Sequence, residues 1–152
     1  MEKIATFHKD LERGFQGNHS YTCTLPDNIQ KLRIVLTYNK DKINDIHAYM
    51  NKYQEELLPI LTNYLEYPAT LEEYEEFVKN MKTEIQLCLM MDNQFIGNVH
   101  KPGTKKEILL TKESSSEGCI QIDTFKTNIS IIINVFQVVE EGTSYDVIVE
   151  GE

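Results

Sequence analysis

Apolar and polar residues alternate along most of the first 38 residues, as they do in half-buried β-strands. In YTCTLPDNIQKLRIVLTY, residues 21–25 and 32–38 are alternating runs, and Pro26-Asp27-Asn28 supplies a turn between them. The preceding segment EKIATFHKDLE also alternates, although Phe7, Leu11 and Phe15 would suit one face of a helix. We interpret it as a strand, because Gly14 and Gly17 then mark the turn into the next strand.

The spacing of apolar residues changes to three and four between residues 41 and 82, which predicts helices. Residues 41 to about 65 are predicted to form an amphipathic helix capped by Asn39 or Asp41, with Pro59 kinking it or ending its regular part. A second helix is predicted to begin at Thr70, which forms a capping box with Glu73. The predicted apolar stripes are Ile43, Ile46, Met50, Tyr53, Leu57, Ile60, Leu61 and Tyr64 in the first helix, and Leu71, Tyr74, Phe77, Val78 and Met81 in the second.

From Glu84 onward the alternating pattern returns in six runs, separated by segments rich in Gly, Pro, Asn, Asp and Ser. The runs are EIQLCLMM, QFIGNVH, EILLTKE, GCIQIDTF, ISIIINVFQVVE and SYDVIVEG. Many short strands with such turns predict a mainly β, α+β protein: an antiparallel two-sheet β-sandwich of about nine strands. The two helices are a helical insertion at about 41–82, after the third strand, within a single domain spanning 1–152.

Charge and composition narrow the possible partners. The net charge is −9 and no basic stripe is present, so nucleic acids and anionic membranes are not expected to bind. The three cysteines are odd in number and form no CxxC pair, which is typical of reduced thiols in a cytosolic protein. Neither a leader pattern nor an apolar run of the ~20 residues that a spanning helix needs occurs in the sequence. We therefore expect a cytoplasmic protein.

Two stretches, FQGNHSYTCTLPDNIQKLRIVLTYNK and SSSEGCIQIDTFKTNISIIINVFQVVEEGTSYDVIVEG, carry a family resemblance. They resemble the opening and closing strands of the β-sandwich domains that precede PHP-type phosphoesterase domains, and of the related pre-peptidase C-terminal-like domains. The resemblance implies a jelly-roll-like sandwich that acts as an accessory or recognition module. The His-x-His metal element of a PHP catalytic domain is absent from this sequence.

Candidate metal ligands are few and widely spaced. None of the four histidines lies two or four residues from another, whereas zinc sites usually contain such local pairs. His19 and His100 fall at predicted strand ends and, with Asp92, are the candidate ligands of a site assembled from distant residues. Asp92-Asn93, with Asn98 and Glu117, could also supply oxygen ligands to Ca²⁺, although Asp-Asn more often forms a hairpin turn. Neither a catalytic nucleophile nor a cofactor is predicted, because no serine elbow and no glycine-rich phosphate loop is present.

Tyrosine is concentrated in the helical insertion, at Tyr49, Tyr53, Tyr64, Tyr67 and Tyr74. Tyrosine is enriched at interfaces because its ring is apolar and its tip is polar. We predict a non-catalytic module that uses these residues to bind a protein partner or to form a homodimer. The alternatives are a metal-dependent hydrolase that uses His19, Asp92 and His100, and a sandwich that binds a small ligand or carbohydrate, although the lack of Trp argues against the latter.

Overall fold

The computed structural model describes residues 1–152, which form two four-stranded antiparallel β-sheets and three helices. The predicted two-sheet sandwich with a helical insertion is confirmed. The elements, in chain order, are β1 (Glu2–Leu11), β2 (Gly17–Thr24), β3 (Lys31–Tyr38), α1 (Ile46–Lys52), α2 (Gln54–Leu65), α3 (Leu71–Lys79), β4 (Glu84–Met91), β5 (Gln94–Val99), β6 (Lys105–Thr111), β7 (Asn128–Gln137) and β8 (Thr143–Gly151).

The strand order is β1-β8-β3-β6 in the first sheet and β2-β7-β4-β5 in the second. Turn chemistry sets the local pairing: Asp92 and Asn93 both have positive φ (44° and 64°) and form the two-residue turn between β4 and β5. Such a turn matches the twist of the two strands it joins. Asp92-Asn93 therefore serves the hairpin, as the turn interpretation predicted.

A core of 24 buried residues fills the space between the sheets. In the inner strands every second residue contributes to it, as Leu32, Ile34 and Leu36 do in β3 and Ile129, Ile131 and Ile133 do in β7. Full burial of one such side chain contributes about 1.5–3 kcal/mol. The alternation read from the sequence is thus the alternation between core and solvent.

The sandwich has eight strands rather than about nine, because GCIQIDTF is not a strand. This run belongs to a longer irregular stretch, residues 112–127, which we call the covering segment. Cys119 makes one isolated bridge with Gly97, and the Ile120 amide donates to the carbonyl of Ile96 at 2.8 Å. Ile122 is buried and Cys119 packs against the core. The apolar residues of this run fill the opening between β5 and β6, and the run does not pair as a strand within a sheet.

The helical region contains three helices rather than two. The long helix predicted from residue 41 begins at Ile46 and is interrupted at Tyr53. Its cap is Asp45, whereas Asn39 bonds instead to Gly142, in the loop before β8, and to Ser144 of β8. Residues 40–45 form no helix, and a bridge between Lys42 and Lys82 brings the two ends of the insertion together. Pro59 lies inside α2, and the interruption occurs before it.

The two sides of the sandwich at which the sheets end, the β5–β6 side and the β1–β2 side, are closed in different ways. On one side the covering segment bonds to β5 through the Asn98 amide and to β6 through the carbonyl of Leu109. On the other side β1 and β2 are the outermost strands, and the gap between them is closed by side chains alone. Phe7 stacks on Tyr21 with ring centroids 4.5 Å apart, and Phe15 stacks on His19 at 5.1 Å.

Candidate functional site

The helical insertion forms a cap over one end of the sandwich, which we call the helical cap (residues 41–82). Each of its helices begins or ends with a recognisable local signal. The Asp45 side chain accepts a hydrogen bond from the Ala48 amide at 3.1 Å. Thr70 and Glu73 form the predicted capping box at the start of α3. Glu66 ends α2 with φ of 65°, which turns the chain towards α3.

The cap has its own hydrophobic core of eight buried residues, of which only Val139 comes from outside the insertion. Two buried tyrosines tie this core together through their hydroxyl groups. Tyr49 donates to the carbonyl of Val139 at 2.6 Å, and Tyr74 donates to the carbonyl of Met50 at 2.7 Å. Burial raises the pKa of both tyrosines. Tyr49 and Tyr74 are therefore structural residues of the cap.

Arg13, in the loop between β1 and β2, joins the cap to the sandwich. Its guanidinium lies 3.5 Å from the ring centroid of Tyr53 and donates to Tyr49 Oη at 3.0 Å. It also forms an ion pair with Glu56 at 2.8 Å, and only 13% of the Arg13 side chain is exposed. The cation–π contact with Tyr53 and the ion pair with Glu56 both stabilise the position of Arg13 against the cap. This arginine holds α1 and α2 in place above the sheets.

Large apolar side chains remain on the surface of the cap around the connection between α2 and α3. Tyr64 is 84% exposed and Leu71 is 75% exposed, while Ile60 and Tyr67 are about half exposed. Ile60 and Tyr64 are neighbours on α2 because they are four residues apart. Half of the eight large apolar residues exposed on the whole protein thus lie within residues 60–71.

The part of the chain that carries these side chains is rich in carboxylates. No Lys or Arg occurs between residues 54 and 76, whereas seven glutamates do: Glu55, Glu56, Glu66, Glu72, Glu73, Glu75 and Glu76. Two of them have a cationic partner, since Glu56 pairs with Arg13 and Glu75 pairs with Lys79. We call Ile60, Tyr64, Tyr67 and Leu71, with these glutamates, the acidic apolar surface.

Tyr67 and Glu73 are linked within this surface. Tyr67 donates to Glu73 Oε2 at 2.6 Å, and Glu73 Oε1 accepts from the Thr70 amide at 3.2 Å. The hydrogen bond from Tyr67, followed by those at Thr70, lowers the pKa of the Glu73 carboxyl. The same bond raises the pKa of the Tyr67 hydroxyl. Glu73 is therefore held as a carboxylate, and it fixes the exposed Tyr67 ring at the start of α3.

The five tyrosines predicted to bind a partner fall into three environments. Tyr49 and Tyr74 are buried, so they cannot contact a partner in this fold. Tyr53 is half-buried beneath Arg13. Tyr64 and Tyr67 are exposed. Ile60 and Leu71 were expected in the buried stripes, and Arg13 had no recognised role in the sequence. The sequence held one signal of this exposure: the apolar face of α2 is wider than the neighbouring elements can cover.

His19, Asp92 and His100 do not form one site. Asp92 is in the turn before β5 and His100 follows the other end of that strand, so they lie roughly 20 Å apart at ~3.3 Å per residue. His19 is on β2, three strands from β5, which is roughly 14 Å at ~4.8 Å per strand. No group of three or more His, Cys, Asp or Glu side chains in the protein is arranged to hold a metal ion.

Each of the two histidines is bound locally instead. His19 Nδ1 bonds to the buried Tyr145 hydroxyl at 2.9 Å, and burial is the main cause that lowers its pKa. His100 Nδ1 lies 2.6 Å from the side-chain nitrogen Nε2 of Gln86, and His100 Nε2 lies 3.3 Å from Glu84 Oε1. His19 is thus bonded across the sandwich to β8 of the first sheet, whereas the partners of His100 lie on β4 of its own sheet.

A cavity of about 560 Å³ lies at the end of the sandwich opposite the cap. It is lined by residues 1–4, 26–29, 151 and 152. No aromatic side chain lines it, so it lacks the flat rings on which sugars stack.

None of the three helices is long and apolar enough to cross a membrane. A comparison with curated proteins found no match. Over residues 1–152 the chain matches, and therefore belongs to, a family described as a family of unknown function (DUF6669).

Proposed function

We propose that this protein is a protein-interaction module in which the sandwich is the scaffold and the acidic apolar surface binds a basic, apolar segment of a partner protein. The observation that carries the proposal is the exposure of Ile60, Tyr64, Tyr67 and Leu71 among seven glutamates without an intervening Lys or Arg. Several large exposed apolar side chains close together among polar residues are typical of interaction sites.

The two components of the surface have different roles in binding. Apolar rings and aliphatic side chains supply most of the affinity when a partner covers them. The glutamates attract cationic segments, repel anionic ones and accelerate encounter. A partner segment that carries Lys or Arg beside aromatic or aliphatic residues satisfies both components.

The two alternative functions have less support. The hydrolase alternative requires His19, Asp92 and His100 to converge, and they lie on different parts of the second sheet. The carbohydrate alternative requires aromatic rings in a cleft, and the cavity at the far end has none.

The proposal is tested by selecting binders from a random peptide library displayed on phage, with the immobilised full chain as the target. We expect the enriched peptides to combine Lys or Arg with aromatic or aliphatic residues. A double variant, Tyr64→Ser with Leu71→Ser, should weaken their binding by at least about tenfold. Because the glutamates attract the Lys and Arg residues of the peptide electrostatically, raising the salt concentration should also weaken peptide binding.

Phe136→Ser is the matched control, because Phe136 is a large exposed apolar residue on β7. We expect it to leave peptide binding unchanged. Enriched peptides of acidic or uncharged composition, or equal binding by the wild type and the double variant, would refute the proposal.

A further inference from the structure

Three of the four edge strands of the sandwich are protected against pairing with another chain, and β2 is not. The covering segment lies against β5 and β6. β1 has a bulge between Lys3 and Ala5, and it carries Lys9 and Asp10. Bulges and charged side chains are devices that prevent edge strands from associating. β2 has no charged residue, no proline and no shift in its register with β7.

The unpaired backbone groups of β2 can be assigned from its register. The Leu25 amide donates to the carbonyl of Thr127 at 2.7 Å, which continues the β2–β7 ladder. Because the hydrogen-bonded positions of an antiparallel ladder alternate, the odd-numbered residues of β2 bond to β7. The N–H and C=O groups of Asn18, Ser20, Thr22 and Thr24 therefore point away from the sheet. Of these groups, only the Thr24 carbonyl has another contact, a weak one with the Cys23 thiol at 3.8 Å.

The side chains of β2 also leave the edge accessible. Asn18, Ser20, Thr22 and Thr24 are exposed, small and uncharged on the outer face of the sheet. His19, Tyr21 and Cys23 are only partly exposed and face inward. Phe15 stacks on His19 there, and Phe7 stacks on Tyr21. Although 26% of the residues of this protein are charged, this eight-residue edge contains none.

We propose that β2 pairs antiparallel with β2 of a second copy of this chain, about a twofold axis that passes beside Tyr21. This register places Ser20 opposite Thr22 and Asn18 opposite Thr24, so the eight free N–H groups of the two strands meet eight free C=O groups. Hydroxyl and amide side chains then face one another on the outer surface, and cross-strand pairs of this kind are favourable. A twofold contact requires a surface that complements itself, and this register satisfies that requirement.

The pairing joins the two second sheets into one eight-stranded sheet and removes their free edge. Because the strands run antiparallel, the helical caps, which lie near the Gly17 end of β2, point to opposite ends of the dimer. The dimer therefore carries two acidic apolar surfaces, one at each end. This inference does not depend on what those surfaces bind.

Sedimentation velocity over a wide range of protein concentration tests the proposal. The wild type should form a dimer, and Thr22→Lys should weaken dimerisation by at least about tenfold, because a lysine on an edge strand opposes pairing. Thr22→Pro should act in the same way without loss of a β7 bond, since the Thr22 amide points outward. Thr6→Lys places the same charge at an exposed threonine of β1 and should leave the dimer intact.

Two further measurements identify the interface. Hydrogen exchange at the amides of residues 18, 20, 22 and 24 should slow as the protein concentration rises. Since both copies have a charge of −9, added salt should strengthen the dimer, whereas it should weaken binding at the acidic apolar surface.

A strictly monomeric wild type would overturn the inference, including the case in which β2 binds an extended peptide instead. A dimer that is unaffected by both Thr22 variants would also overturn it. So would a dimer that is lost in the Tyr64→Ser, Leu71→Ser variant, because it would then form through the caps.

Discussion

Lys106 and Tyr38 are two ionisable side chains buried side by side at the end of the sandwich that carries the helical cap. Lys106 is 3% exposed, and its Nζ donates to Tyr38 Oη and to the carbonyl of Gly103, both at 2.8 Å. Tyr38 in turn donates to the same carbonyl. Burial lowers the pKa of Lys106, although Asp41 and Glu84 oppose that effect. No carboxylate is bonded to Lys106, so the Tyr38 hydroxyl and the Gly103 carbonyl are the groups that stabilise its buried ammonium.

This residue pair predicts a loss of stability in alkali. Burial, followed by the nearby Asp41 and Glu84, raises the pKa of Tyr38 from 10.0 to about 12. Because the hydroxyl ionises more easily in the unfolded chain, its contribution to stability is complete below pH 10 and is lost as the pH rises towards 12. Denaturant unfolding across this pH range should show a steeper loss for the wild type than for Tyr38→Phe. Tyr64→Phe, at an exposed tyrosine, should retain the wild-type slope, and identical slopes in all three proteins would contradict the assignment.

The covering segment is the element that closes the β5–β6 side, and a glycine makes its position possible. A Cβ atom at Gly97 would overlap the Cys119 sulfur and the carbonyl oxygen of Gly118. The backbone of the covering segment therefore approaches β5 more closely than a side chain would permit. Burial raises the pKa of the Cys119 thiol in this position. Because the thiolate is the reactive form, Cys119 should react slowly in the native protein.

Gly97→Ala should displace the covering segment and leave the two sheets assembled. We expect faster alkylation of Cys119, mapped by mass spectrometry, and faster hydrogen exchange at the Asn98 and Ile120 amides, which bond across this contact. Gln94→Ala, at an exposed position of the same strand, should change neither measurement. Unchanged Cys119 reactivity in Gly97→Ala would show that the close approach does not control the segment.

The whole molecule contains two hydrophobic cores of unequal size. The sandwich core has 24 buried residues and the cap core has eight. Few contacts link them. Val139 packs in the cap core, and its amide donates to the Thr83 hydroxyl at 3.1 Å. Arg13 reaches across from the sandwich to Tyr49 and Glu56. A small core with few links opens at a lower free energy than a large one. The cap should therefore unfold locally while the sandwich remains folded.

Native-state hydrogen exchange tests this difference. Amides of α1–α3 should exchange through an opening of lower free energy than those of β4 and β7. Arg13→Ala should lower the opening free energy of the cap by about 1.5–3 kcal/mol, the usual contribution of hydrogen bonds to a charged group. The exchange of β4 and β7 should not change. Lys79→Ala removes only a surface pair with Glu75 and should alter neither region by more than about 0.5 kcal/mol.

Local patterns account for the features that were predicted correctly. Alternation in residues 32–38 and 129–137 reports core and solvent faces directly, because successive side chains of a strand point to opposite sides. The Thr70–Glu73 capping box and the Asp92-Asn93 turn depend only on bonds between near neighbours. The cytoplasmic location and the resemblance to sandwiches that precede PHP-type domains stay predictions.

Periodicity and short-range hydrogen bonds set the class of the fold, the place of the helical insertion and the caps and turns that bound many elements. These features could therefore be predicted from the amino-acid sequence. The folded arrangement was needed to show that GCIQIDTF covers an opening, that Tyr49 and Tyr74 are buried while Tyr64 and Tyr67 are exposed, and that β2 is a free edge. Those outcomes depend on which distant elements cover a given residue. The sequence pattern around an apolar residue is the same whether a distant element covers its side chain or the side chain faces water.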